Sequence, residues 1–284
     1  MRSIICKFET IKKTLPLKPK ICVIGCGWLG LSLAKQLIQL DYPVNGSTTS
    51  KDKLSQLEKE KINPFLIEFS SEGVNGNLKD CLKDCKTLIL NIPPGLRKHP
   101  ESDYVKQMKH IVEYIENSTI ENVLFIGSTS VYDDYEDFPI ITENSPTSNN
   151  NTAKQLLAVE ALFHKNKNFK TTVLRFSGLF GQDRHPANYL SGKTDLKNGN
   201  APVNLIHRED CVGIIISVVK NNIWDTTINA SAPNHPNKKE YYTSVCEALE
   251  IAIPQFDDQT KSKGKIIDSS KLVQLLKYDF KVNI

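Results

Sequence analysis

The 284-residue chain sets 36 Lys and Arg against 32 Asp and Glu, a formal net charge of +4, with 39% hydrophobic and 24% charged residues. That is globular composition with enough apolar material for one large α/β domain or two modest ones. So small a charge, without a dense Lys/Arg block interleaved with aromatics, leaves no nucleic-acid footprint, and no apolar run approaches the ~20 residues a membrane helix needs.

The expectation is therefore a soluble, cytoplasmic protein. The seven cysteines, at positions 6, 22, 26, 81, 85, 211 and 246, are odd in number and scattered, several of them within apolar runs. This suits a reducing compartment rather than a disulfide framework. Cys22 and Cys26 are spaced i,i+4, as are Cys81 and Cys85, but no matching Cys/His pair lies elsewhere. They read as buried small residues, and no metal site is expected.

Residues 1–18 have an apolar start too short for a signal segment and no small-residue cleavage site, so they read as an extension ahead of the domain. The first strand-like run is Ile21–Ile24. It is followed at once by Gly25, Gly27 and Gly30 in "GCGWLG" and then by a helical pattern. Further β-branched or apolar runs come at Val44–Ser47, Pro64–Phe69, Thr87–Asn91, Val123–Gly127, Thr171–Phe176 and Thr226–Asn229. Between them, Tyr104–Ile115 and Ala153–Phe163 place apolar residues three or four apart, the helical period. Such alternation predicts βαβ units and a doubly wound parallel sheet. The later strands are apolar throughout, as for strands covered on both faces. After Phe176 the pattern loosens into Gly, Asn and Pro, with helices expected at Arg208–Lys220, Lys239–Ile251 and Ser269–Leu276. The expected division is a larger domain over 19–176 and a smaller lobe over 177–284 that partly returns to the sheet.

The three glycines form G-x-G-x-x-G at the first strand-to-helix turn. The first allows the tight turn, the second lets backbone approach a pyrophosphate, and the third lets helix pack close to strand. The helix N-terminus then offers N–H groups and a positive dipole end to the phosphates. Gly25, Gly27, Trp28, Leu29 and Gly30 are thus assigned to a dinucleotide. At the end of the second strand, where an NAD site usually places Asp or Glu, stand Ser47, Thr48, Thr49 and Ser50, followed by Lys51 and Lys53. Without a carboxylate to repel a 2′-phosphate, this favours NADP over NAD. The competing reading is that these hydroxyls only cap the next helix.

Several blocks together resemble the extended short-chain dehydrogenase/reductase superfamily, the NAD-dependent epimerase/dehydratases. They are "GCGWLG", "NIPPG", "FIGSTSVYDD", "VLRFSGLFGQDRHPANYLSGK" and "VNLIHREDCVGII", running from about residue 20 to the C-terminus. The last two are most similar to an atypical subgroup of bacterial Rossmann proteins. The resemblance implies a Rossmann core with a C-terminal substrate lobe, a small-molecule substrate such as a sugar nucleotide, and a homodimer formed through the helices around Tyr104–Ile115 and Ala153–Phe163. It also implies that the cofactor passes Asn91, Ile92 and Pro93 after the fourth strand.

Enzymes of that superfamily use a Ser or Thr after the fifth strand and a Tyr-x-x-x-Lys pair on the next helix, with Tyr as acid/base. Aligning "STSVY" places Ser128 in the Ser/Thr role, with Thr129 as the alternative. The helix departs from the pattern. Counting back from Glu160 in "TAKQLLAVE" puts Leu156 where Lys belongs and Thr152 where Tyr belongs. Lys154 is two residues, about 200° of helix, out of phase. Tyr132 is a candidate proton donor, weighed against simple packing. Arg184, His185 and Asn188 on the "GQDRHPAN" loop are candidate substrate contacts, Arg184 as a fork for phosphate or carboxylate. His207 is a further candidate, weighed against tying down a helix start with Asp210. Arg175 is expected to pair with a carboxylate. Two functions follow: an NAD(P)-dependent oxidoreductase or epimerase/dehydratase acting on a hydroxyl or carbonyl, or a non-catalytic NADP(H)-binding sensor or partner-binding protein.

Overall fold

The computed structural model describes residues 18–96 and 101–284; the N-terminal extension up to residue 17, with Cys6, lies outside them. Eight strands form one sheet in the order β11-β8-β6-β5-β1-β2-β3-β4. Their ranges are β1 Lys20–Ile24, β2 Val44–Thr48, β3 Asn63–Ser70, β4 Gly73–Gly76, β5 Cys85–Leu90, β6 Asn122–Ser128, β8 Lys170–Phe176 and β11 Thr226–Ala230. All neighbours are parallel except β3 and β4, which form an antiparallel edge hairpin. The chain runs outward from β1 through β2 and β3, then returns to β5 on the other side of β1 and continues through β6 and β8. The order therefore reverses between β1 and β5, and a crevice opens outside the carboxyl ends of those two strands.

Side chains two apart on a strand share a face, and both faces are covered. On one side Cys22, Ile24, Leu88, Leu90, Val123 and Phe125 meet helices α4 (Tyr104–Glu116) and α5 (Asn151–His164). On the other, Ile21, Val23, Ile89, Leu124, Leu174 and Ile228 meet α1 (Trp28–Gln39), α7 (Arg208–Lys220) and α9 (Ser270–Leu276). Phe163 of α5 stacks on Phe125 of β6, with ring centroids 5.5 Å apart and planes 20° from parallel. Cys22, Cys26, Cys81 and Cys85 are buried, with the Cys22 sulfur 3.4 Å from that of Cys81.

Four further short strands form two pairs outside the main sheet. Strand β9 (Gly178–Phe180) pairs with β10 (Leu205–His207), and β7 (Ile140–Ile141) pairs with β12 (Ile266–Ile267). Helix α6 (Pro186–Leu190) and helix α8 (Lys238–Ala248) pack a small cluster around Phe180, Tyr242 and Cys246. Helix α8 stops three residues short of the expected end at Ile251. Glu250 turns left-handed at φ 54° and the Ile251 amide donates back to the Cys246 carbonyl, a Schellman stop made without glycine. Among the described residues no helix is long and apolar enough to cross a membrane.

Phe163 joins helix to sheet from full burial. Phe163→Ala is expected to cost about 3–5 kcal/mol of stability in urea unfolding; a loss below ~1 kcal/mol would show that the ring is not the joint.

Candidate functional site

A cleft of about 650 Å³ occupies the crevice at the β1/β5 reversal, within the size range of small-molecule and cofactor sites. Its floor begins at the glycine turn. Gly25 has φ 95°, and a Cβ on it would lie 2.3 Å from the Asn91 carbonyl oxygen, so only glycine lets β1 and β5 end this close together. A Cβ on Gly30 would lie 2.1 Å from the Gly25 carbonyl oxygen, which fixes the approach of α1 to the turn. Gly27 is different. It meets nothing within 4 Å and lines the cleft, so a side chain there would occupy ligand space rather than protein space. Trp28 and Leu29, the first residues of α1, line the same wall.

The turn is tied from two sides. The Asn91 side-chain amide donates to the Gly25 carbonyl at 3.1 Å, and the Gly25 amide donates to the Ser47 hydroxyl at 3.1 Å. Ser47, Thr48 and Thr49 line the cleft, whereas Ser50 sits behind, its amide donating to the Thr48 hydroxyl at 3.2 Å. The hydroxyls of Ser47 and Thr48 thus accept from backbone, and each keeps its own proton to donate. Lys53 lines this end of the cleft, as does Glu68 of β3, the one carboxylate among the described lining residues. Asn91, Ile92 and Pro93 line the middle, and the Ile92 carbonyl accepts from the fully buried Tyr104 phenol at 3.0 Å. Burial pushes that phenol well above its ordinary pKa.

At the β6/β8 end, Ser128 and Gly127 line the cleft with Ile126, Leu156, Phe176 and Leu179. The Ser128 oxygen accepts from the Ser130 amide at 3.1 Å. Thr129 points away and is buried, its carbonyl accepting from the Tyr132 amide at 3.2 Å. Tyr132 is also buried outside the cleft. Its hydroxyl donates to Asn229 at 3.0 Å and accepts from Arg175 Nη1 at 2.6 Å. Desolvation raises the Tyr132 pKa against the opposing pull of Arg175. Arg175 in turn grips Glu160 through Nε at 3.0 and 3.2 Å and Nη2 at 2.5 Å, which supplies the carboxylate partner expected for it. This buried network lies directly under Gly127, whose missing Cβ would be 3.3 Å from Glu160 Oε1.

Leu156, where the sequence resemblance would place a lysine, lines the cleft. Thr152 is half-buried one turn earlier on α5, and Lys154 is exposed. Neither Tyr nor His is among the described lining residues. One further residue went unnoticed in the sequence. Ser177 follows β8 directly, lines the cleft and is 6% exposed, yet its hydroxyl has no partner. A buried hydroxyl without a partner keeps its donor and acceptor capacity for a group that enters the cleft. Its place at the carboxyl end of a strand, just before Gly178, was the available signal.

Of the loop candidates, Arg184 lines the cleft. His185 lies outside, capping α6 by accepting from the Ala187 amide at 3.1 Å, with Nε2 3.2 Å from the Tyr241 hydroxyl. Burial lowers its pKa. His207 caps α7 through the Glu209 amide at 3.3 Å, and both imidazoles stand edge-on to Phe180, at 5.3 and 5.1 Å. Asn188 is exposed on α6. Asp210, fully buried, accepts from the Tyr278 hydroxyl and from the amides of Lys281 and Val282.

Comparison with known proteins agrees with this geometry. A family model described as "NAD dependent epimerase/dehydratase family" matches residues 21–223. Protein YeeZ of Escherichia coli (strain K12) is 30% identical over 264 residues, covering 92% of this chain and 95% of that protein. A solved UDP-glucuronic acid 4-epimerase from Bacillus cereus in complex with NAD superposes with a TM-score of 0.76 at 18% identity, covering 93% of this chain and 92% of its own. MoeE5 in complex with UDP-glucuronic acid and NAD gives 0.75 at 16% identity, covering 93% and 94%. Sequence blocks, strand order and relatives converge: the chain belongs to the NAD-dependent epimerase/dehydratase family.

Proposed function

We propose that the cleft binds a nicotinamide adenine dinucleotide and that the protein carries out epimerase- or dehydrogenase-type chemistry on the hydroxyl or carbonyl of a small molecule, a sugar nucleotide in the first instance. The observation that carries the reading is the glycine turn at the β1/β5 reversal, where Gly25 and Gly30 are filled by protein and Gly27 is left open to the cleft. Backbone amides at Gly27 and the start of α1 would receive the pyrophosphate. The adenosine half would lie toward β2 and β3, and the reacting half toward β6 and β8.

NAD is the cofactor we favour. The solved relatives named above hold NAD, and Glu68 brings a carboxylate to the end of the cleft where β2 has none. The second reading, NADP, is supported by Lys53 and the hydroxyls of Thr48 and Thr49 at the same end.

The bound nicotinamide would supply the site for hydride transfer. The chain's own part is positioning and exclusion of water. Ser128 and Ser177 offer hydroxyls to the reacting oxygen, while Ile126, Leu156, Phe176 and Leu179 wall it in. A sensor or partner-binding role has one specific support, the leucine at position 156: no ammonium or phenol lines this end.

Three outcomes are expected. Gly27→Val costs about 1 kcal/mol of stability, because Gly27 is the N-cap of α1, and the protein stays folded since nothing packs there, but it weakens NADH binding at least about tenfold, roughly 1.4 kcal/mol, in a fluorescence titration. Retained affinity would place the dinucleotide elsewhere or nowhere. In parallel titrations NADH binds more tightly than NADPH, and Glu68→Gln narrows the gap; NADPH binding tighter than NADH would reverse the cofactor assignment. With cofactor saturating, a panel of UDP-sugars gives turnover that Ser128→Ala reduces by about 10²-fold or more; binding without any turnover selects the sensor.

A further inference from the structure

The loop at 181–185 joins β9 to α6, and it is fastened to the cofactor turn rather than left on the surface. Gly181 and Arg184 close a tight turn by exchanging backbone hydrogen bonds of 3.0 Å each way. Gly181 presses on the indole of Trp28 so closely that a Cβ would lie 2.9 Å from Trp28 Cζ2. The Trp28 indole N–H donates to both oxygens of Asp183, at 3.0 and 3.1 Å. Arg208, at the start of α7, donates to the same carboxylate at 3.1 Å and stacks 4.7 Å from the Trp28 ring. Trp28 follows Gly27 directly, so this latch sits on the residue that opens α1.

Two guanidinium groups share that indole, and they are not equivalent. Arg208 is paired with Asp183. Arg184 lies 5.2 Å from the ring, lines the cleft beside Gly25 and Gly27, and has no carboxylate partner among the described residues. Stacking on Trp fixes the plane of a guanidinium without consuming its N–H donors. The result is a preoriented cationic fork, unpaired among the described residues, that lines the cleft beside the glycine turn. Planar forks of this kind suit phosphate oxygens.

We propose that Arg184 binds the cofactor's diphosphate, held beside the glycine turn by the Gly181–Asp183–Trp28 latch, and is not a substrate contact. This rests on the dinucleotide reading and adds to it. The glycine turn supplies neutral amides; the loop supplies charge. Arg184 thereby makes the second lobe part of the cofactor site. It also places Trp28, one of two tryptophans in the chain, against the bound diphosphate.

The test uses ligands that separate the parts of the dinucleotide. ADP-ribose carries the diphosphate but neither nicotinamide nor substrate. Calorimetric titration of the full-length wild-type protein and of Arg184→Met, which keeps an apolar stem on the indole, is made with ADP-ribose and with NAD. Arg184→Met is expected to weaken both ligands by the same factor, about tenfold, and the difference from wild type is expected to shrink at high salt. Arg208→Met, whose cation is already neutralised, is expected to weaken them less than Arg184→Met does. An ADP-ribose affinity changed less than twofold in Arg184→Met, with the unfolding midpoint unaltered, would overturn the assignment. Failure of wild type to bind either ligand would instead remove the dinucleotide reading itself. Matching unfolding midpoints of the variants exclude a folding defect as the cause.

Discussion

The carbonyl oxygen of Asn91 lies where any side chain on Gly25 would have to be. The ends of β1 and β5 meet across that contact, and much of the site follows from it. The Asn91 side chain returns to hold the Gly25 carbonyl, and Ser47 holds the Gly25 amide from the β2 side. Three parallel strands are thereby tied at their carboxyl ends by one residue with φ 95°. The direction in which α1 leaves the turn is then set by Gly30 against the Gly25 carbonyl, and the open face of Gly27 follows. A cleft at this place is a consequence of strand order, since neighbouring connections diverge only where the order reverses.

The other end of the cleft rests on a buried charge network. Arg175, Glu160, Tyr132 and Asn229 are bonded to one another under Gly127 and Ser128. Taking an ion pair out of water is costly unless its remaining donors and acceptors are satisfied, and here the fork of Arg175 engages both Glu160 and Tyr132. Tyr132 is therefore occupied as a structural partner and lies outside the cleft. The same network ties α5 to β8, to β11 and to the turn that follows β6, and Leu156 of α5 lines the cleft. At this end the cleft is lined by the apolar side chains of Ile126, Leu156, Phe176 and Leu179 and by the hydroxyls of Ser128 and Ser177.

The fold was legible because its signals are local. Apolar runs of strand length marked the seven longer strands of the sheet, and the glycine spacing marked the first turn. The antiparallel β4 was not visible, because "GVNG" carries no apolar alternation. Nor were the short pairs β9–β10 and β7–β12, whose partners are far apart in the chain. Site residues were legible where backbone position decides the matter, as at Gly25, Asn91 and Ser128. They were not where side-chain direction decides it. His185 and His207 stood in a promising loop and at a helix start, yet Phe180 and two helix caps absorb them. Ser177 stands inside a block shared with relatives, but nothing in the block singles it out; its burial without a partner among the described residues brings it forward. Arg184 and Trp28 lie far apart in sequence, and their contact exists only through the folding of the loop at 181–185 onto the start of α1.

The most direct measurement is a crystal structure of the protein grown with NAD. The account predicts the pyrophosphate over the Gly27 and Trp28 amides, with the adenosine ribose toward Glu68 and the nicotinamide ring between Leu156 and Phe176, within hydrogen-bond reach of Ser128 or Ser177. A dinucleotide lying in the opposite direction, or bound outside the β1/β5 crevice, would contradict it.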